Sequence, residues 1–260
     1  MSGVAVESHL RKVRDGGRKI LVTYVTGGLG PDWLPALEAM VAAGADLVEI
    51  GIPYSDPVMD GPTIQEASSQ ALAGGANPGS ILDDLARVPI EVPLVAMTYY
   101  NVVFRAGHAR FARLLTDAGV RGAILPDLPL EESEPWEADA AEAGVAPVLL
   151  AAPVTPDDRL ARICRRSRGF VYGVNLMGVT GERTSVATST GVLAKRLKAV
   201  TDLPVVMGFG ISGPSQAVAA AAEADGVVVA SALMRLLLDG GGPEAVGDAV
   251  GAIRRALDGG

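Results

Sequence analysis

Glu49, Asp56 and Asp60 crowd one short stretch, Leu47-Val48-Glu49-Ile50-Gly51-Ile52-Pro53-Tyr54-Ser55-Asp56-Pro57-Val58-Met59-Asp60-Gly61-Pro62-Thr63. Carboxylates held close together are natural acid–base groups. The run Leu47–Ile50 reads as a buried strand, whose side chains alternate between two faces. If helices cover Val48 and Ile50, Glu49 points with Leu47 into the interior, near the strand's exit. A lone interior carboxylate is expensive unless it is protonated, paired or used, so Glu49 is the first candidate for chemistry. Asp60 has two readings from the residues alone: a second reactive carboxylate, or a cap on the helix that Pro62 starts.

The elements that must position these groups recur along the whole chain. Strands are expected at Ile20–Val25, Leu47–Ile50, Leu94–Met97, Gly122–Leu125, Ala146–Leu149, Gly169–Gly173, Val205–Met207 and Gly226–Val229. Amphipathic or Ala-rich helical segments lie between them, among them Trp33–Ala43, Phe111–Ala118, Pro135–Ala143, Arg159–Ser167 and Pro214–Ala222. The pairs Ala43-Gly44, Ala118-Gly119 and Ala143-Gly144 read as helix ends. Strict alternation of β and α argues for a parallel sheet. Eight strands in 260 residues match the ~250 residues of a (β/α)8 barrel, so a closed α/β TIM barrel is expected over an open doubly wound sheet. No linker-like or low-complexity segment divides the chain, and one domain over residues 1–260 is expected.

Composition narrows the partners. Apolar residues make up 49% of the chain and aromatics 4%, which suits an α/β core packed from small side chains. A formal charge of −8 and a pI near 4.8 give no field that would attract nucleic acid. No apolar run reaches the ~18 residues of a membrane span, and no signal-peptide pattern is present. The single cysteine, Cys164, lies in a helical, Arg-rich stretch and reads as a packed thiol. A cytoplasmic location is the expectation.

In such a barrel the chemistry sits at the C-terminal ends of the strands. What is missing there is informative. Lys12 and Lys19 precede the first strand and Lys195 and Lys198 lie on a helix, so Schiff-base chemistry lacks a nucleophile. His9 and His108 have no second ligand at metal-site spacing, which argues against a zinc-dependent aldolase. No cofactor or metal is expected, and carboxylates and tyrosines remain as the acid–base groups. At the late exits stand Gly208-Phe209-Gly210-Ile211-Ser212 and Ala230-Ser231. Backbone N–H groups and a helix N-terminus in that position hold a phosphate in many barrels; the same glycines also suit ordinary tight turns. Asn175–Thr190 is long for a βα loop and reads either as a lid over a phosphorylated substrate or as a surface loop.

With these residues in place, the chain resembles the tryptophan synthase α-subunit family almost end to end. The carrying residues are Glu49-Ile50-Gly51-Ile52-Pro53-Tyr54-Ser55-Asp56-Pro57 with Asp60-Gly61-Pro62-Thr63-Ile64-Gln65, then Gly178-Val179-Thr180-Gly181, Gly208-Phe209-Gly210-Ile211-Ser212 and Ser231-Ala232. The resemblance implies a cofactor-free retro-aldol cleavage of indole-3-glycerol phosphate to indole and glyceraldehyde 3-phosphate. It makes Glu49 the general acid/base at indole C3 and the side-chain hydroxyl, and Asp60 the acceptor for the indole N–H. Tyr99, Asp127 and Tyr172 become substrate-binding residues. Gly181, Phe209, Gly210 and Ser231 fall to the substrate and its phosphate, and Thr180 to the closing lid.

The implied partner is a pyridoxal-phosphate-dependent β subunit in an α2β2 assembly, meeting Asp56, Pro57, Met59, Phe104 and Arg105. Departures from the family pattern carry their own expectations. Ala230 stands where Gly is usual, and its Cβ is expected to restrict the backbone or crowd the phosphate. Val174-Asn175-Leu176-Met177 replaces a more polar approach to Gly178, and Met59 replaces a smaller residue. Two other readings stand beside the synthase: a stand-alone lyase releasing free indole, and a phosphate-binding barrel that regulates a β-type enzyme.

Overall fold

The structure, a computed structural model, describes residues 5–174, 183–208 and 210–259, with backbone alone for residues 183–189. In chain order α1 (Val6–Asp15) leads into β1 (Ile20–Thr26), α2 (Trp33–Ala42) and β2 (Leu47–Gly51). Then come α3 (Pro62–Ala73), α4 (Pro78–Leu85), β3 (Leu94–Met97), α5 (Tyr100–Ala106) and α6 (His108–Asp117). The chain continues through β4 (Val120–Ile124), α7 (Glu134–Glu142), β5 (Ala146–Ala151), α8 (Asp157–Arg166) and β6 (Val171–Val174). It ends with α9 (Arg183–Lys198), β7 (Val205–Gly208), α10 (Pro214–Ala221), β8 (Gly226–Val229), α11 (Ser231–Leu238) and α12 (Gly242–Asp258). The strands pair in parallel in sequence order and β8 closes on β1, a (β/α)8 TIM barrel as expected.

Alternation sorts the side chains into two layers. Leu47 packs inside the barrel with Val22, Val95 and Ile124, while Val48 and Ile50 join the layer between barrel and helices. Glu49, in phase with Leu47, therefore faces inward. Val6, Leu10 and Val13 of α1 belong to the interior cluster together with Ile20 and Phe170 near the strand starts. This helix plugs the N-terminal end, and each fully buried Leu or Ile there contributes roughly 1.5–3 kcal/mol. Beneath the plug, Asp46 accepts the Leu21 N–H at 2.9 Å and pairs with buried Arg254 of α12 at 3.2 Å. The interior is thus filled and tied at one end, leaving the C-terminal mouth for ligands.

Three expectations need correction. The fourth strand spans Val120–Ile124, earlier than Gly122–Leu125, because the register slips at Arg121: Leu94 faces Val120 but Val95 faces Gly122. That bulge hides the strand's start from a pattern reading. The sixth strand begins at Val171 because Gly169 has φ +82°, a conformation outside the β region. The loop expected through Thr190 is shorter, since α9 starts at Arg183. Its Ser/Thr-rich first half reads as loop, but Leu193, Ala194 and Leu197 further along are fully buried against the barrel and hold it helical.

Candidate active site

Glu49 sits at the mouth end of β2, 1% exposed, and its Oε2 has no hydrogen-bond partner among the described residues. Burial, reinforced by the charge of Asp60, pushes its carboxyl up to about 8. At neutral pH it is a protonated acid with an uncommitted oxygen.

Asp60 lies on the loop between β2 and α3. It does not cap α3: the N-cap is Gly61, without a side-chain capping bond. Instead Asp60 Oδ2 accepts the Tyr99 hydroxyl at 3.1 Å, while the Met59 N–H donates to the same Tyr99 oxygen at 2.8 Å. Burial raises Asp60 to about 6 against the opposing effect of the Tyr99 bond. The two carboxylates therefore stand in opposite states near pH 7, Asp60 ionised and Glu49 protonated. Unlike environments producing unlike protonation is the pattern by which one cavity runs acid and base steps together.

Tyr172 points inward from β6 and is buried, and that burial, followed by the charge of Glu49, raises its hydroxyl well above the ordinary range. Its ring occupies the space left by Gly208, where a Cβ would lie 2.7 Å from the phenol oxygen. Tyr99 stacks on Tyr54 at 5.0 Å between ring centres, and Asn101 Nδ2 donates to the Tyr54 hydroxyl at 3.1 Å. The Asp60 loop and the start of α5 are therefore bound to each other by side chains on both sides.

Four of the expected site residues, Glu49, Asp60, Tyr99 and Tyr172, come together at the mouth. Asp127 is exposed, and its Oδ1 accepts the Tyr100 N–H at 2.8 Å. It anchors the first turn of α5 in the geometry of the site. Ser231 opens α11 behind Ala230, an N-cap without a side-chain capping bond; the Leu233 amide already donates to the Ala230 carbonyl at 3.0 Å, so among the described residues the Ser231 and Ala232 amides are the ones left for an anion. Ala230 has φ −121° and ψ −78°, without the positive φ that calls for glycine, and its methyl packs against the helix-side core. Gly210 is exposed at φ +48°. Thr180, Gly181, Phe209 and the approach Asn175–Met177 lie outside the described residues.

Two features escaped the sequence reading. Tyr24 of β1 is fully buried beside both carboxylates, hidden because Ile20–Thr26 is buried throughout and such a run shows no inner and outer phase. Counting in steps of two from Ile20 and Val22 would have found it. The second is a mouth cavity of about 280 Å³ whose apolar wall includes Leu125, Leu128 and Leu150, with Met59 and Asp127 at its edge. Such a wall suits a flat aromatic ligand.

Comparison with known proteins agrees with this geometry. The family described as "Tryptophan synthase alpha chain" matches residues 10–249. The tryptophan synthase alpha chain of Streptomyces avermitilis is 41% identical over 99% of this chain and 96% of its own length, and that of Halorhodospira halophila is 42% identical over 97% and 96%. Among solved structures, tryptophan synthase subunit alpha from Legionella pneumophila superposes with TM-score 0.89 at 30% identity, covering 98% of each chain. A structure of Mycobacterium tuberculosis tryptophan synthase gives 0.89 at 37% identity over 99% of each.

Proposed function

The chain belongs to the tryptophan synthase alpha chain family, and we propose that it cleaves indole-3-glycerol phosphate to indole and glyceraldehyde 3-phosphate as the α subunit of that enzyme, a carbon–carbon lyase of tryptophan biosynthesis. The observation that carries the assignment of roles is the pairing of a buried, protonated Glu49, one oxygen unpartnered, with a neighbouring ionised Asp60.

The difficulty of the reaction is its leaving group, because an aromatic ring carbon is a poor carbanion. Protonated Glu49 gives its proton to indole C3, which turns the ring into an indolenine cation that can accept an electron pair. Asp60, already ionised and steadied by Tyr99, accepts the ring N–H and stabilises that positive charge. Glu49, now a carboxylate, takes the proton from the hydroxyl on the carbon attached to C3. The carbon–carbon bond then breaks, its electron pair restores the indole, and the hydroxyl carbon becomes the aldehyde. Glu49 ends protonated as it began, so the cycle needs no other acid or base. The open amides at the start of α11 beside Ser231, with Gly210, support phosphate binding without basic side chains.

Val58, Met59 and Phe104 are apolar and 78%, 48% and 66% exposed. They stand on the Asp60 loop and on α5, the two segments joined through Tyr99 and Asn101. A β subunit docking there covers apolar surface and bears directly on Asp60, which would make partner binding a means of setting its position. Arg105 lies beside Phe104 on α5 and Asp56 with Pro57 on the loop. Among the described residues no helix is long and apolar enough to cross a membrane; the single, buried thiol of Cys164 fits a reducing cytoplasm.

The test is indole release from indole-3-glycerol phosphate, alone and with a β subunit, for the wild type and Glu49→Gln. Slow release alone, marked stimulation by β and a loss of at least about a thousandfold in the variant are expected, the scale of an acid/base group used twice. Release that survives the substitution would sink the roles assigned to Glu49. Fast release without β would favour a free lyase.

A further inference from the structure

Tyr24 stands directly opposite Glu49 in the β1–β2 register, and both side chains face the barrel interior. Its ring leans toward the mouth over Gly51, where an added Cβ would lie 1.8 Å from the phenol oxygen. No other residue type at position 51 leaves room for the ring in this place. The Thr26 hydroxyl, two residues further along the same strand, donates to the Tyr24 oxygen at 3.3 Å. The phenol thus has an acceptor lone pair occupied and its own proton uncommitted among the described contacts. On the neighbouring strand Glu49, its register partner, keeps an oxygen without a partner among the described residues.

Taking the reaction above as the premise, we propose that Thr26 and Tyr24 form a hydroxyl chain that donates to Glu49 in the half of the cycle when Glu49 is a carboxylate. The first proton transfer leaves a negative charge at a fully buried position. A phenol already polarised by a donated hydrogen bond is a stronger donor in turn; its bond to Glu49, whose Oε2 has no partner among the described residues, forms as the charge appears. Tyr24 is a positioning residue of the site in this role, acting through Glu49. The other groups facing Glu49 are Asp60 on the β2–α3 loop and Tyr172 on β6. Tyr99 is committed to Asp60. Asp60 repels the new charge, so a hydroxyl donor to Glu49 has an electrostatic purpose. Burial and the nearby carboxylates hold Tyr24 protonated far above neutral pH, so it remains a donor throughout.

The experiment compares wild type, Tyr24→Phe, Thr26→Val and the double variant. With β subunit present, Tyr24→Phe is expected to lower kcat about tenfold or more with KM nearly unchanged, since the interaction is made after binding. The alkaline limb of the rate profile, set by loss of the Glu49 proton, is expected to move up by roughly half a unit or more. Thr26→Val should act in the same direction more weakly and add nothing in the Tyr24→Phe background. A packing role alone would not move the limb. Titration of the Glu49 carboxyl in the substrate-free protein, identified by its loss in Glu49→Gln, reads the same shift without turnover. An unmoved Glu49 titration, or additive effects of the two substitutions, overturns the proposal. Absence of glutamate-dependent indole release in the wild type overturns the premise instead, and the titration still reports on the chain.

Discussion

Glu49 and Asp60 illustrate how little chemistry is needed to give two carboxyls different occupations. Glu49 has no hydrogen bond to its Oε2 and a fully buried position, so it keeps its proton up to about 8. Asp60 is half-buried and holds the Tyr99 hydroxyl, so it loses its proton near 6. Activity requires Asp60 ionised and Glu49 protonated. The rate is therefore expected to rise as pH passes about 6, to fall as it passes about 8, and to be greatest between. Asp60→Asn should erase the acidic limb and move the alkaline one to lower pH, because the charge of Asp60 helps Glu49 hold its proton, at a much lower rate. A profile flat from pH 5 to 9 at constant protein stability would count against both assignments.

At the scale of elements, the site depends on how α5 is pinned. Its first amide is held by Asp127 from the exit of β4, and the residue just before it, Tyr99, reaches Asp60 and the Met59 amide. Asp127 is thereby joined to Asp60 through a helix end and Tyr99. Removing a helix-start acceptor costs about 1 kcal/mol. Asp127→Ala is accordingly expected to lower kcat several-fold through a displaced Tyr99, with Asp127→Asn retaining most of the rate because its carbonyl oxygen still accepts. Steady-state kinetics decide the matter: a raised KM with unchanged kcat would return Asp127 to direct substrate contact.

For the molecule as a whole, a buried acid is a stability liability. Glu49 gives up its proton at about 8 when folded but near the ordinary glutamate value of 4.5 when unfolded. Between those limits unfolding releases a proton, so rising pH favours the unfolded chain. The stabilisation is complete below the unfolded value and is lost progressively as pH climbs through the folded one, a difference on the order of a few kcal/mol. Glu49→Gln should therefore unfold at a higher temperature than the wild type at pH 8.5 and at a similar temperature at pH 5. Thermal unfolding of both proteins at the two pH values checks it. An equal offset at both pH values would mean that the carboxyl is not buried as described. The trade is the usual one between a strained functional site and a stable fold.

Much of the fold was legible because its signals are local. Alternating apolar runs, Ala-Gly helix ends and a constant βα unit length specify strands and helices with few competing readings, and the phase of Leu47–Ile50 alone turns Glu49 inward. The errors fell where neighbours overrule local pattern: the bulge at Arg121, the left-handed Gly169, and an α9 whose Ser/Thr-rich start is carried by its buried second half. The site divides in the same way. The type and phase of Glu49 were enough to single it out, whereas Asp60 stood open between a reacting group and a helix cap until the family resemblance was added. That Asp60 leaves the helix cap to Gly61 and takes Tyr99, that Asp127 holds a helix end, and that Tyr24 settles over Gly51 are facts about side chains from different strands. Their distances and desolvation arise only when the sheet closes, because proximity across strands and the removal of water are properties of the packed barrel and of no single segment. By itself the sequence determined which groups could react; the tertiary structure decided which carboxyl keeps its proton near neutral pH, which loses it, and what holds each in place.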